Sequence, residues 1–201
     1  MKLSRIVMTG TLLFAAFAAP AAAARDVPIK GTVTGPASPE FEIVIIDGKP
    51  VPVPVAPGCD DLVIGDVVLP PIWRFDGSGT GNVSHLGTVA FTMTHCTYPD
   101  SSFRDGELSF VAANGDELDL TYGDGSCEII PGELGPLGYT CDATWTADGG
   151  TGRFAHAAGS GTFAIFGDVG DGVETLGLPD GWLTMDLAGR IAYTASDRSQ
   201  K

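Results

Sequence analysis

Apolar and polar side chains alternate at period two through much of this chain. Val89, Phe91, Met93 and His95 share one face, and Thr88, Ala90, Thr92 and Thr94 share the other. Tyr139, Cys141, Ala143 and Trp145 alternate with Thr140, Asp142, Thr144 and Thr146. Leu183, Met185, Leu187, Gly189, Ile191 and Tyr193 alternate with Thr184, Asp186, Ala188, Arg190 and Ala192. A buried face backed by a Thr-rich or charged one is the signature of half-buried antiparallel strands. No stretch after residue 24 keeps a 3.6-residue apolar stripe.

One hairpin is readable to its register. Leu108, Phe110 and Ala112 share a face, as do Leu118, Leu120 and Tyr122. A two-residue Asn114-Gly115 loop would pair Phe110 with Asp119 and turn acids inward. A three-residue loop, Ala113-Asn114-Gly115, pairs Phe110 with Leu118 and Leu108 with Leu120. It also puts Gly115 at the left-handed position such loops need. Further strands are predicted near 27–34, 41–46, 62–69, 73–84 and 160–166. Gly77, Gly79 and Gly81 share a face with Trp73, Phe75 and Val83 and permit close backbone approach. Lys49 to Pro57 alternates Pro and Val and reads as an extended polyproline-like arm near 49–57. Gly167 to Gly181 reads as a Gly/Asp-rich loop.

These strands predict an all-β fold: a single eight-stranded antiparallel β-barrel, with a β-sandwich as the alternative. Closure removes sheet edges. The first strand (Ile29, Gly31, Val33) and the last (Leu187, Gly189, Ile191) each carry a Gly between inward apolar residues, a match that suits them to pair and close the barrel. At 201 residues with 28 Gly and 14 Pro, the chain suits one turn-rich domain, spanning 25–201.

Residues 1–24 read as a cleaved signal peptide. Lys2 and Arg5 form a positive start, Ile6 to Ala18 is almost wholly apolar, and Ala22-Ala23-Ala24 precedes Arg25. The apolar stretch is shorter than the roughly 20 residues of a spanning helix, so no membrane span is expected after cleavage. Without that segment the chain carries 9 basic and 25 acidic side chains, a net charge of −16. Such a surface disfavours nucleic acid as a partner. A secreted or periplasmic location makes disulfides the natural state of Cys59, Cys96, Cys127 and Cys141. Three pairings are possible; Cys127–Cys141 with Cys59–Cys96 is preferred because the first pair is close in sequence. No metal-ligand spacing and no cofactor motif occurs, so neither metal nor cofactor is expected.

The segment Gly149-Gly150-Thr151-Gly152-Arg153-Phe154-Ala155-His156-Ala157-Ala158-Gly159-Ser160-Gly161 resembles the G-G-T-G-x-F-x-x-A-x-G turn of the allene oxide cyclase and dirigent-type, calycin-like barrels. It is more similar still to small exported bacterial proteins of unassigned function that end in G-x-I-x-Y, here Gly189-Arg190-Ile191-Ala192-Tyr193. Gly79-Thr80-Gly81-Asn82-Val83-Ser84-His85-Leu86-Gly87 resembles their G-x-G-x-x-x-H-L-G segment. The resemblance spans 73–193 in patches and implies an eight-stranded barrel with a central cavity. It carries over no pocket residue of the plant enzymes. Within the motif, Phe154 and Ala157 suit a helical turn plugging the barrel end. A phosphate cradle is the other use of such a loop, but no Lys stands in the P-loop position.

Among titratable residues His95 stands out, because alternation turns it inward, where a neutral imidazole can act as base or orient a ligand. The plainer reading is a hydrogen-bonded or wetted His at a strand end. His85 and His156 sit beside turns. Asp168, Asp171, Glu174 and Asp180 crowd one loop, as calcium ligands do, but without an EF-hand or a repeated Gly-Asp motif. No G-x-S-x-G elbow supports Ser/His/Asp catalysis. The leading expectation is a binding module holding a small apolar molecule in a lumen lined by Phe91, Met93, His95, Phe110, Leu118, Leu120, Tyr122, Tyr139 and Trp145. Its alternatives are a cyclase- or isomerase-type enzyme using His95, and a non-catalytic envelope or extracellular interaction protein.

Overall fold

The computed structural model describes residues 25–46, 48–131, 136–168 and 181–193. The signal segment and the loop acids Asp171, Glu174 and Asp180 lie outside the described residues.

The described chain is built from β1 (Arg25–Pro39), β2 (Phe41–Ile46), β3 (Lys49–Pro54), β4 (Leu62–Ile64), β5 (Val67–Leu69), β6 (Trp73–Val83), β7 (Gly87–Thr97), β8 (Ser102–Ala112), β9 (Glu117–Pro131), β10 (Pro136–Gly150), β11 (Ala158–Asp168) and β12 (Gly181–Tyr193). Eight of these close an antiparallel barrel in the order β1-β12-β11-β10-β9-β8-β7-β6. Closure runs through the strands whose glycines match: Ile29 lies opposite Gly189 and Gly31 opposite Leu187. The β8–β9 hairpin takes the three-residue loop. Phe110 pairs with Leu118, Leu108 pairs with Leu120, and Gly115 has φ +83°.

In two places the structure departs from the sequence expectation. Lys49 to Pro54 is a strand paired with β2, not a polyproline-like arm. Proline is compatible there because its missing N–H falls at outward positions. Residues 62–69 are not one strand but the hairpin β4–β5, reversed through Gly65 at φ +61°.

Several strand glycines have a steric cause. Tyr122 lies opposite Gly106, Phe103 opposite Gly125, Tyr139 opposite Gly167, and Trp145 opposite Gly161. A Cβ at these four glycines would fall 2.0–2.5 Å from the facing ring. Each ring lies flat on its neighbour's bare backbone, so large and small residues alternate round the wall.

Both disulfides form as preferred, Cys59–Cys96 and Cys127–Cys141. The second joins directly opposed residues of β9 and β10. The first ties the segment between β1 and β6 to β7, assisted by the Tyr98 hydroxyl donating to the Asp60 carbonyl at 2.8 Å. Disulfides persist in oxidising compartments. Among the described residues no helix is long and apolar enough to cross a membrane.

Candidate functional site

Alternation along β7, β8, β9 and β10 aims the predicted lining into the barrel. Phe91, Met93, His95, Phe110, Leu118, Leu120, Tyr122 and Trp145 are each 0–6% exposed, while Tyr139 is only partly buried. The structure thus brings together all nine. A water-sized void beside these side chains would leave them measurable surface, and they have almost none. The interior is filled by side chains, as an eight-stranded barrel is narrow enough to be.

The two ends of the filled interior differ. At the end carrying the β6–β7, β8–β9 and β10–β11 turns, Phe154 is fully buried in a single 3₁₀ turn (Gly152–Phe154) and meets Tyr193 at 4.9 Å between ring centres. Thr151 binds that plug to the β8–β9 hairpin: its amide donates to the Glu117 carbonyl at 2.9 Å, and its Oγ1 accepts from the Glu117 amide at 3.0 Å. Arg153 adds an ion pair to Asp116 at 3.2 Å. The Gly-rich motif is architectural here: its backbone is committed to the barrel end.

The other end holds an aromatic cluster round His95. Phe75 stacks on the imidazole at 4.8 Å and Phe103 tilts against it at 4.8 Å. Tyr122 donates its hydroxyl proton to the Thr94 carbonyl at 2.9 Å. That proton being used, the 3.0 Å contact between Tyr122 Oη and His95 Nδ1 requires the imidazole to donate. The network assigns the Nδ1–H tautomer, with the lone pair on Nε2. Nε2 has no hydrogen-bond partner among the described residues. Burial pushes the imidazole down to about 3, so it is neutral across the physiological range. Burial also raises the Tyr122 phenol well above its usual range and Tyr139 to about 12.

Phe103 was not legible as part of this cluster. Counting by twos from Leu108 turns it outward. A bulge intervenes: Asp105 has φ +53°, and on the neighbouring strand Asp124 has φ +51°. The extra residue in each strand flips the parity, bringing Phe103, Gly125 and Cys127 to the inner side. An Asp beside a Gly in both strands (Asp105-Gly106, Asp124-Gly125) was the available signal.

The other candidates stay apart. His85 is exposed, with its Nε2 2.9 Å from the Pro28 carbonyl, and His156 is exposed beside the plug. Among the described residues no three His, Cys, Asp or Glu side chains gather as a metal ion would require.

Open space is found at the barrel wall, in a groove that also touches Met93 and Leu120. A groove of about 830 Å³ crosses β6, β7, β8 and β9 and is bordered by Asp76, Glu107, Asp119 and Asp148 together with Ser and Thr hydroxyls. Among the described residues Arg74 is the one cation lining it, paired with Asp76 at 3.4 Å. Comparison with known proteins returns no matching family model, no matching curated protein and no matching solved structure.

Proposed function

We propose that this protein is an exported, non-catalytic interaction module whose barrel is a scaffold and whose outer wall is the working surface. The observation that carries the reading is the filled interior. Eight inward candidates have almost no accessible surface, whereas ligand sites are concave spaces of about 300–1,000 Å³. The outer groove has that size and a carboxylate- and hydroxyl-rich border, suited to a cationic, polar partner. In this reading the allene oxide cyclase-type resemblance is one of architecture, and the disulfides belong to an exported product.

A second reading keeps the lumen: a small apolar ligand, or substrate chemistry at His95. One observation favours it. A neutral imidazole whose Nε2 is left to accept, inside an aromatic cluster, suits orienting a ligand's hydrogen-bond donor; with its pKa pushed down to about 3 it is a poor general base at neutral pH.

Titration with the apolar fluorophore N-phenyl-1-naphthylamine separates the two. The interaction-module reading expects no saturable fluorescence gain with native protein. One-to-one binding that Met93→Trp abolishes would establish the lumen reading instead.

A further inference from the structure

The hairpin β2–β3 stands outside the barrel as a sheet of two strands, so each strand has one unpaired edge. The two edges differ in kind. The Val55 amide donates to the Glu40 carbonyl at 3.0 Å, which makes that opposed pair hydrogen-bonded. Alternation in an antiparallel ladder then makes Phe41–Pro54, Ile43–Pro52 and Ile45–Pro50 the non-bonded pairs, whose backbone groups point away from the partner strand. On β3 every outward position is therefore a proline, and that edge offers no donor. On β2 the outward amides and carbonyls belong to Phe41, Ile43 and Ile45. Among the described residues none of these groups has a hydrogen-bond partner outside the hairpin. Ile43, Ile45 and Ile46 are 48%, 68% and 51% exposed.

The hairpin is thus closed to strand addition on one side and open on the other. We infer that the β2 edge is a docking site for an extended, cationic segment of another polypeptide, added as a third strand. Main-chain bonds to Phe41, Ile43 and Ile45 would hold it, with apolar contact to Ile43 and Ile45. Charge selects the partner's chemistry. Glu40 and Glu42 are exposed two residues apart, hence on one face, and the chain carries a net charge of −14. Basic side chains at alternate positions of the added strand would meet them. A second copy of this chain fits poorly: it brings the same negative charge, and contact through one six-residue strand falls short of the roughly 1,200 Å² at which stable interfaces begin. The β2 edge shares no residue with the outer groove.

The test uses a capped heptapeptide of alternating Lys and Val, and the same peptide with every amide N-methylated, which keeps the charge and removes the donors. Isothermal titration should show one-to-one binding of the first and at least about tenfold weaker binding of the second. Ile43→Pro places a proline where β2 needs no ladder donor, as Pro52 does opposite. It should weaken binding by at least about tenfold while leaving the melting temperature unchanged. If that variant does not fold, the triple variant Pro50→Val, Pro52→Val and Pro54→Val decides: it restores all three outward donors, opens the second edge and should raise the stoichiometry to two. Glu107→Gln with Asp119→Asn should leave the peptide affinity within about twofold, so loss of the groove and loss of the edge are told apart. No binding, equal binding of the N-methylated peptide, equal binding by Ile43→Pro, or an unchanged stoichiometry in the triple proline variant overturns the proposal. So does a wild-type dimer in sedimentation that Ile43→Pro dissociates, since a second copy would then own the edge.

Discussion

At the residue scale the informative group is His95. Its folded pKa, about 3, lies below the unfolded value near 6.5. Between those two values the unfolded chain binds a proton that the folded chain does not. Stability therefore falls as pH drops below about 6.5, with a slope approaching about 1.4 kcal/mol per pH unit. His95→Phe keeps the ring stack but removes the Nδ1–H donor to Tyr122. At pH 8 it should be about 1 kcal/mol less stable than wild type. Denaturant melts at falling pH should show that gap close and reverse before pH 4; parallel profiles would mean His95 is solvated. The aromatic–glycine pairs make a second prediction. Gly106→Ala drives a methyl to 2.2 Å from the Tyr122 ring, and should cost about 1–3 kcal/mol in a denaturant melt.

Among the elements, the disulfides differ in the loops they close. Cys59–Cys96 spans a sequence separation of 37 and Cys127–Cys141 one of 14. In the chain-entropy model these are worth about 4 and about 3 kcal/mol. The double Ser variant at Cys59 and Cys96 should therefore melt lower than the one at Cys127 and Cys141; the reverse order would show that residual structure in the unfolded chain dominates. The long strands were legible because their inner and outer faces differ in chemistry at every second residue, and β12 (Leu183 to Tyr193) shows this without a break. The β8–β9 register was legible because only one loop length keeps Asp119 off the core. The Phe103 end of β8 was not, because a bulge changes parity without changing composition. Lys49 to Pro54 is ambiguous for another reason. Alternate prolines suit an isolated polyproline helix and the outer edge of a two-stranded ladder equally, and only the presence of β2 decides. As for the candidate site, alternation named inward residues of β7, β8, β9 and β10 but not Phe163 of β11, which meets Tyr122 at 4.9 Å, and it carries no information on the space left between them.

At the scale of the whole molecule, closure leaves the barrel no edge strand, while the hairpins outside it are two-stranded sheets tethered through Cys59–Cys96 and the Arg74 backbone. Amide hydrogen exchange should therefore find β1 and β12 protected as strongly as β8 and β9, and β2 to β5 exchanging much faster. Fast exchange in β1 and β12 would show the seam opening. The central claim is that the barrel interior is filled and the working surfaces lie outside. A crystal equilibrated under xenon pressure tests it most directly, since xenon enters dry apolar cavities. The account predicts no xenon among Phe91, Met93, Phe110, Leu118 and Trp145; an ordered xenon atom within that cluster would contradict it.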